Sequence, residues 1–211
     1  MTCRTIVIAT ALFASFPLHA ATYTLEPDYT QGVFRWTHLG FSRPTAQFAH
    51  GEGTLVFDPQ NPTAASVRVV IPLTTIHTGV PALDEDLSSA DFFDTEKFPT
   101  ATFISTSVTA GAAENQLLVA GNLALHGLTK PVTLAVTLLK VGLNGRTHSP
   151  TVGFDATTTI KRSQFGLGKY VPEVGDEVEI QIVCQAAESG AYAEFLRQQA
   201  AKQAKAKGTG K

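Results

Sequence analysis

Apolar and polar residues alternate with period two through most of the chain, as in strands buried on one face. Residues 30–40, TQGVFRWTHLG, place Phe34, Trp36 and His38 on one face and Arg35 and Thr37 on the other. TAQF brings in Phe48, and GEGTLVFDP sets Gly53, Leu55 and Phe57 in phase before stopping at Asp58-Pro59, a turn signal. ASVRVVIPLTTI aligns Val67, Val69, Ile71 and Leu73, and its Pro72, which cannot donate to a ladder, suits an edge, a bulge or a strand end. TATFISTSVT sets Phe103 with Ser105, and NQLLVAGNLALHG sets Val119 with Leu123 and Leu125. KPVTLAVTLLKV aligns Val132, Leu134, Val136 and Leu138, and TVGFDATTTIKR aligns Phe154, Ala156, Thr158 and Ile160. DEVEIQIVCQ closes the series with Val178, Ile180, Ile182 and Cys184.

About eight strands separated by Gly, Pro, Asn and Asp turns predict an all-β fold, an eight-stranded antiparallel barrel or a sandwich. Long helices do not alternate with the strands, so a parallel α/β sheet is not expected. One stretch breaks the alternation. SADFFDTEKF sets Phe92 beside Phe93 between Asp91 and Asp94. Neighbours on a strand point to opposite faces, so residues 84–98 are predicted as a short helical or irregular crossover. There both rings lean on one end of the barrel and the aspartates face solvent or a basic partner, with Arg162 the candidate. After Ala187 the composition turns to Ala, Gln and Lys, with Tyr192, Phe195, Leu196 and Gln199 at helical spacing. A short helix fraying into a basic, disordered tail is expected.

An eight-stranded barrel is just wide enough to be filled by side chains or to hold one slender ligand. The inward positions are Phe, Trp, Leu, Val and Ile, with His38, Ser105 and Thr158 as scattered polar members. Pattern alone leaves both outcomes open.

The first 20 residues are a separate object. Arg4 precedes the apolar run TIVIATALFASFPL, and LHA ends on a small residue. This is the form of a secretory signal peptide cut near Ala20, and it predicts a periplasmic or secreted protein. The domains are then 1–20 signal peptide, 21–187 barrel and 188–211 tail. The 211 residues carry 16 Lys and Arg against 18 Asp and Glu. Loss of Arg4 takes the net charge to about −3, which gives no electrostatic case for nucleic acid. Cys3 leaves with the leader, so Cys184 is alone, and a buried inert thiol is expected.

Catalytic signatures are absent. There is no G-x-S-x-G elbow, no Walker loop and no H-x-x-x-H spacing. No catalytic residue, metal or resident cofactor is expected. His38 and His126 could act together only if the fold joined them, and the default is a hydrogen-bonded core or rim histidine. The basic stretch from Lys202 to Lys211 is a candidate for transient contact with an anionic membrane surface. The oligomeric state stays open, a dimer included.

Five motifs, in order, carry a resemblance over residues 23–187: GVFRWTHLGFS, GTLVFDPQNPTAASVRVVI, SADFFDTEKFPTATFISTSV, GNLALHGLTKPVTLAV, and IKRSQFGLG followed by VGDEVEIQI. The chain resembles the YceI-like family of polyisoprenoid-binding proteins. The resemblance implies a lipocalin-like barrel that holds a long isoprenoid chain, the tail of a quinone included, as a carrier or reservoir rather than an enzyme. The candidate wall for that lipid comprises Phe34, Trp36, His38, Phe48, Leu55, Phe57, Val69 and Ile71. It continues through Phe92, Phe93, Phe103, Leu123, Leu125, Leu134, Val136, Phe154, Ile160, Phe165 and Ile180. Three positions depart from the family pattern, the first being Ala46 in TAQF, where the family usually carries glycine. DEDLSS at 84–89 has Asp86 where the family usually carries histidine and Ser88 where it carries a basic residue, which makes the expected mouth more acidic. The competing readings are an enzyme acting on such a lipid and a structural β-domain with a filled core.

Overall fold

The computed structural model describes residues 20–208. Residues 1–19, which hold nearly all of the expected signal peptide, and the last three residues lie outside the described residues. Ten strands form one antiparallel sheet: β1 Ala21–Leu25, β2 Gln31–Arg35, β3 Thr45–Phe48, β4 Glu52–Phe57, β5 Ser66–Pro72, β6 Thr100–Ala110, β7 Gln116–Leu125, β8 Leu128–Leu143, β9 Pro150–Lys161 and β10 Glu177–Glu188. Helix α1, Pro81–Ser88, lies between β5 and β6, and α2, Ser189–Gly208, follows β10.

Eight strands close a barrel in the order β1-β4-β5-β6-β7-β8-β9-β10, with β1 returning to β10. Strands β2 and β3 lie outside that ring, β2 on the lower half of β10 and β3 on β2. The count of eight agrees with the alternation, but its membership differs. Residues 30–40 are not a ring strand; the eighth place belongs to β1. Strand β10 serves both. Its Glu179–Val183 segment pairs with β2, and Ala186–Glu188 pairs with Tyr23–Leu25. A 3-10 turn at Pro27–Tyr29 lets the chain pass from one to the other.

The alternation works because one face is buried. Along β7 the inward Leu117, Val119, Leu123 and Leu125 are all buried. The hairpin into β8 turns on His126 and Gly127, with φ of 51° and 75°. Two positive φ values are what a two-residue turn matched to strand twist requires. Gly121 continues the inward phase for another reason: the Phe103 ring lies over it, and a Cβ there would come within 2.4 Å of that ring.

Two bulges reset the phase, between Ser105 and Ser107 on β6 and between Leu138 and Lys140 on β8. Ser105, expected to face the interior, is diverted to the ladder, where its Oγ accepts the Val67 N–H at 2.8 Å. Beyond that bulge Val108 takes the inward position.

Helix α2 is longer than the short helix expected, since Ala, Gln and Lys are strong helix formers. The Glu188 carboxylate caps its start by accepting the Gly190 and Ala191 N–H groups at 3.0 and 2.7 Å. The helix seats beside Glu26, a buried carboxylate that accepts from Gln185 Nε2 at 2.7 Å and pairs with Arg146 at 3.6 Å. The Arg146 guanidinium lies over the rings of Tyr29 and Phe195, 5.3 and 5.7 Å from their centroids. Among the described residues no helix is long and apolar enough to cross a membrane.

Candidate functional site

The barrel is not filled. It encloses a cavity of about 280 Å³ whose walls are almost wholly apolar. The lining runs from Leu117 to Leu125 on β7 and from Val178 to Cys184 on β10. At 3.3–3.4 Å per residue, the apolar wall extends roughly 25 Å along the strands. The only polar or charged side chains among its lining residues are Thr30, Gln31, Ser66, Thr158 and Arg162, with the thiol of Cys184. They come from different strands and turns, and no group of three or more His, Cys, Asp or Glu side chains converges among the described residues.

Seventeen of the nineteen candidate wall residues surround this cavity. Phe34, Trp36 and Phe48 reach it from β2, β3 and the segment just beyond β2; Leu55, Phe57, Val69 and Ile71 from β4 and β5. Phe103, Leu123, Leu125, Leu134, Val136, Phe154, Ile160 and Ile180 complete the ring. His38 and Phe165 do not belong to the lining. His38 is exposed in the turn after β2, where period two has already ended. Phe165 is fully buried in a 3-10 turn after β9, packed within the wall with Leu167, which does line the cavity. His126 sits in the β7–β8 turn, its Nδ1 3.0 Å from the Phe165 carbonyl oxygen and its ring against Phe98. It does not pair with His38. Period two also left out Leu25, Leu87, Val108, Leu117 and Leu167. Leu117 shares the phase of Val119 and could have been found; Leu87 and Leu167 lie outside strands, and Val108 lies beyond a bulge.

One end of the cavity is covered by the crossover between β5 and β6. It begins with the Leu73–Thr75 turn, continues through α1, and runs as turns to Pro99. Pro81 occupies the first turn of α1, where its missing N–H costs nothing. Asp84 ties the helix to the preceding loop. Its carboxylate accepts the Thr78 N–H and hydroxyl at 2.6 Å each, with His77 Nδ1 at 3.1 Å. The Thr78 hydroxyl above all holds Asp84 below the ordinary carboxylate range. Asp86 is exposed and Ser88 is half-buried, and neither lines the cavity.

Phe92 and Phe93 both turn inward, as successive residues can once they leave a strand. The Phe93 ring stands edge-on to Phe34 at 5.9 Å and to Phe48 at 5.4 Å. Phe34 stacks on Trp36 at 5.7 Å. The rings thus clasp the crossover to the β2–β3 extension by aromatic contact.

The expected pairing of Asp91 with Arg162 is not found. Asp91 pairs with Lys169, whose ammonium this hydrogen bond raises above its ordinary range. Arg162 is buried and spends its guanidinium on backbone carbonyls: Gly175 at 2.8 Å, Lys169 at 2.9 Å, Val174 at 2.7 Å, and Leu167. Those carbonyls line one loop, 167–175, so Arg162 pins that loop beside the crossover. Desolvation lowers the Arg162 pKa, and the nearby Asp176 opposes the shift.

Cys184 faces the cavity, and burial pushes its thiol up to about 11. The thiol therefore stays protonated at neutral pH. We expect no alkylation of the folded protein at pH 8 and full alkylation in denaturant, read by intact mass. The sign follows from linkage: a raised folded pKa favours the native state below about pH 9, and that advantage is lost as pH rises toward 11. Rapid alkylation of folded protein at pH 8 would show that the cavity wall opens to reagent.

Residues 23–186 match the YceI-like domain family. Protein YceI of Escherichia coli O157:H7 is 35% identical over 179 residues, covering 84% of this chain and 92% of the relative. A UPF0312 protein of Pseudomonas paraeruginosa is 34% identical over 181 residues, covering 85% and 93%. Among solved structures, Burkholderia cenocepacia BcnA aligns with a TM-score of 0.66 at 26% identity, covering 74% of this chain and 95% of that one. A polyisoprenoid binding domain from Saccharophagus degradans shares the fold at TM-score 0.62 and 14% identity, covering 81% and 99%. On the match over nearly the whole barrel and on these relatives, the chain belongs to the YceI-like family.

Proposed function

We propose that the protein sequesters or carries one long isoprenoid-type lipid, the tail of a quinone included, inside the barrel, in the periplasm or outside the cell. The observation that carries this reading is the cavity itself. It is long, narrow and lined by hydrocarbon, with polar groups too scattered to assemble a reaction centre. A structural β-domain would have filled this space, since protein interiors pack densely. The likeness to a relative described as a polyisoprenoid binding domain points the same way, as does the signal-peptide pattern at residues 1–20. The protein acts here as a binding protein rather than an enzyme.

The test is organic extraction of protein purified from its own host, followed by mass spectrometry. About one lipid per folded chain is expected, on a chain whose intact mass begins at Ala21. No extractable lipid, together with no uptake of an added polyprenol, would overturn the binding reading. A retained leader would overturn the export reading.

The crossover is the natural gate, because a chain many carbons long cannot enter a closed barrel unless one end opens. Residues 73–99 are long enough to move, whereas the two-residue β7–β8 turn is not. Truncating Phe92 and Phe93 together to Ala removes the clasp on Phe34 and Phe48. Lipid transfer to acceptor vesicles should accelerate by tenfold or more, since burying a Phe side chain contributes roughly 1.5–3 kcal/mol. A double variant with a lowered melting temperature but wild-type transfer rate would make the crossover a fixed cover.

A further inference from the structure

The turn joining β2 to β3 projects an apolar tip that the fold does not use. Phe41 is 93% exposed and Leu39 is 50% exposed. Isolated apolar residues on a surface need no explanation, but this turn is built to present them. Leu39 and Gly40 both have positive φ, 52° and 74°, a conformation that strains a leucine. The His38 N–H donates to the Ser42 carbonyl at 2.9 Å, and the Phe41 N–H donates to the His38 carbonyl at 3.0 Å. The Leu39 N–H donates to the Glu173 carbonyl at 2.9 Å, and the Gly175 N–H donates to the Thr37 carbonyl at 2.8 Å. The tip is thus fixed to the loop that Arg162 pins.

That loop adds a second outward ring. Tyr170 is 57% exposed, also at positive φ (62°), and its ring lies 6.4 Å from Phe92 of the crossover. The apolar tips are therefore continuous with the gate of the cavity. Just behind them stand paired charges: Arg35 and Arg43 on Glu179, and Lys169 on Asp91. Aromatic tips ahead of a charged collar fit an interface where hydrocarbon gives way to headgroups.

We infer that the protein docks on a phospholipid bilayer through the Phe41 turn and Tyr170, which brings the gate against the membrane from which a lipid is taken or to which it is given. The inference rests on the lipid-carrier reading above. A bilayer fits better than a protein partner. The tips are convex and few, whereas a stable protein interface needs roughly 800 Å² of complementary surface on each side. The collar holds three cations against two carboxylates, a net charge of only one, so attachment rests chiefly on the apolar tips and depends weakly on salt. This separates it from electrostatic attraction of the Lys-rich α2.

The test uses protein purified from the cell fraction where it accumulates and vesicles of phosphatidylethanolamine and phosphatidylglycerol. Phe41→Ser should lower vesicle co-sedimentation by about tenfold or more, with unchanged melting temperature and unchanged extractable lipid. Phe41→Trp should show a blue-shifted emission on adding vesicles, quenched by brominated acyl chains and persisting in high salt. Three results would overturn the inference: Phe41→Trp emission unmoved by vesicles, co-sedimentation equal in Phe41→Ser and wild type, or a blue shift that follows protein concentration without vesicles, which marks self-association. Emission reads docking whether or not lipid is found in the cavity. Absence of extractable lipid alone therefore counts against the carrier reading and leaves the docking result to stand on its own measurements.

Discussion

On the lipid-carrier reading, replacing Trp36 with aspartate is expected to empty the cavity. The indole, buried in the cavity wall, stacks on Phe34, which itself stacks on Phe48 at 5.1 Å and meets Phe93 edge-on. A carboxylate placed there faces hydrocarbon on every side. It either takes up a proton, its pKa raised by desolvation, or draws in water. Both outcomes remove the apolar contact on which a chain ligand depends. Extractable lipid per folded chain should fall to roughly a tenth or less, in line with losing a large aromatic contact worth about 3 kcal/mol or more. Trp36→Phe, which keeps the stack and most of the volume, should retain most of it. Folding is judged independently by circular dichroism and gel filtration. A folded Trp36→Asp protein with wild-type lipid content would place the lipid elsewhere.

The second large effect is expected from Arg162→Met. The methionine preserves much of the apolar stem but leaves four backbone carbonyls of the 167–175 loop without their donor. Hydrogen bonds to a charged group contribute more than neutral ones, and orphaned buried acceptors carry the full desolvation penalty. A loss of about 3 kcal/mol or more in urea unfolding is expected, together with new proteolysis within the loop. Arg162→Lys should recover only part of it. A single ammonium cannot fork between carbonyls on both flanks as the planar guanidinium does. Wild-type stability in Arg162→Met would show that the loop is held by something else.

The contrast between Trp36 and Arg162 shows what the sequence could and could not convey. Period two revealed Trp36 because it continues the phase of β2, whose one buried face makes every second residue apolar. The same logic located most of the cavity wall. It failed where the period itself was broken. A bulge inserts a residue without any mark in composition, so Ser105 was placed inward and Val108 was missed. It failed also where a charge serves the backbone. Arg162 was matched to an aspartate because charge complementarity is visible in a sequence, whereas a cluster of carbonyls offered by a loop exists only once the loop is folded. Lys169, close in sequence to Arg162, took the aspartate instead. The adjacent pair Phe92-Phe93 was more informative. Two apolar neighbours cannot share a face of a strand, so the break in alternation announced the crossover.

The barrel closes between its first strand and its last. Strand β1 meets β10 over only Tyr23–Leu25 and Ala186–Glu188, segments that lie more than 160 residues apart in the chain. The other neighbours in the ring pair over longer registers, from β1 with β4 up to β9 with β10. The seam is thus short and has the greatest loop to close, so its closure entropy is the largest of any strand pair. During synthesis the amino-terminal strand emerges first and must wait, unpaired on that side, until nearly the whole domain has followed. Until then the molecule is an open, curved sheet whose apolar face lies bare. Barrel closure is consequently the step most exposed to interruption, and aggregation of this protein should be governed by how long that wait lasts.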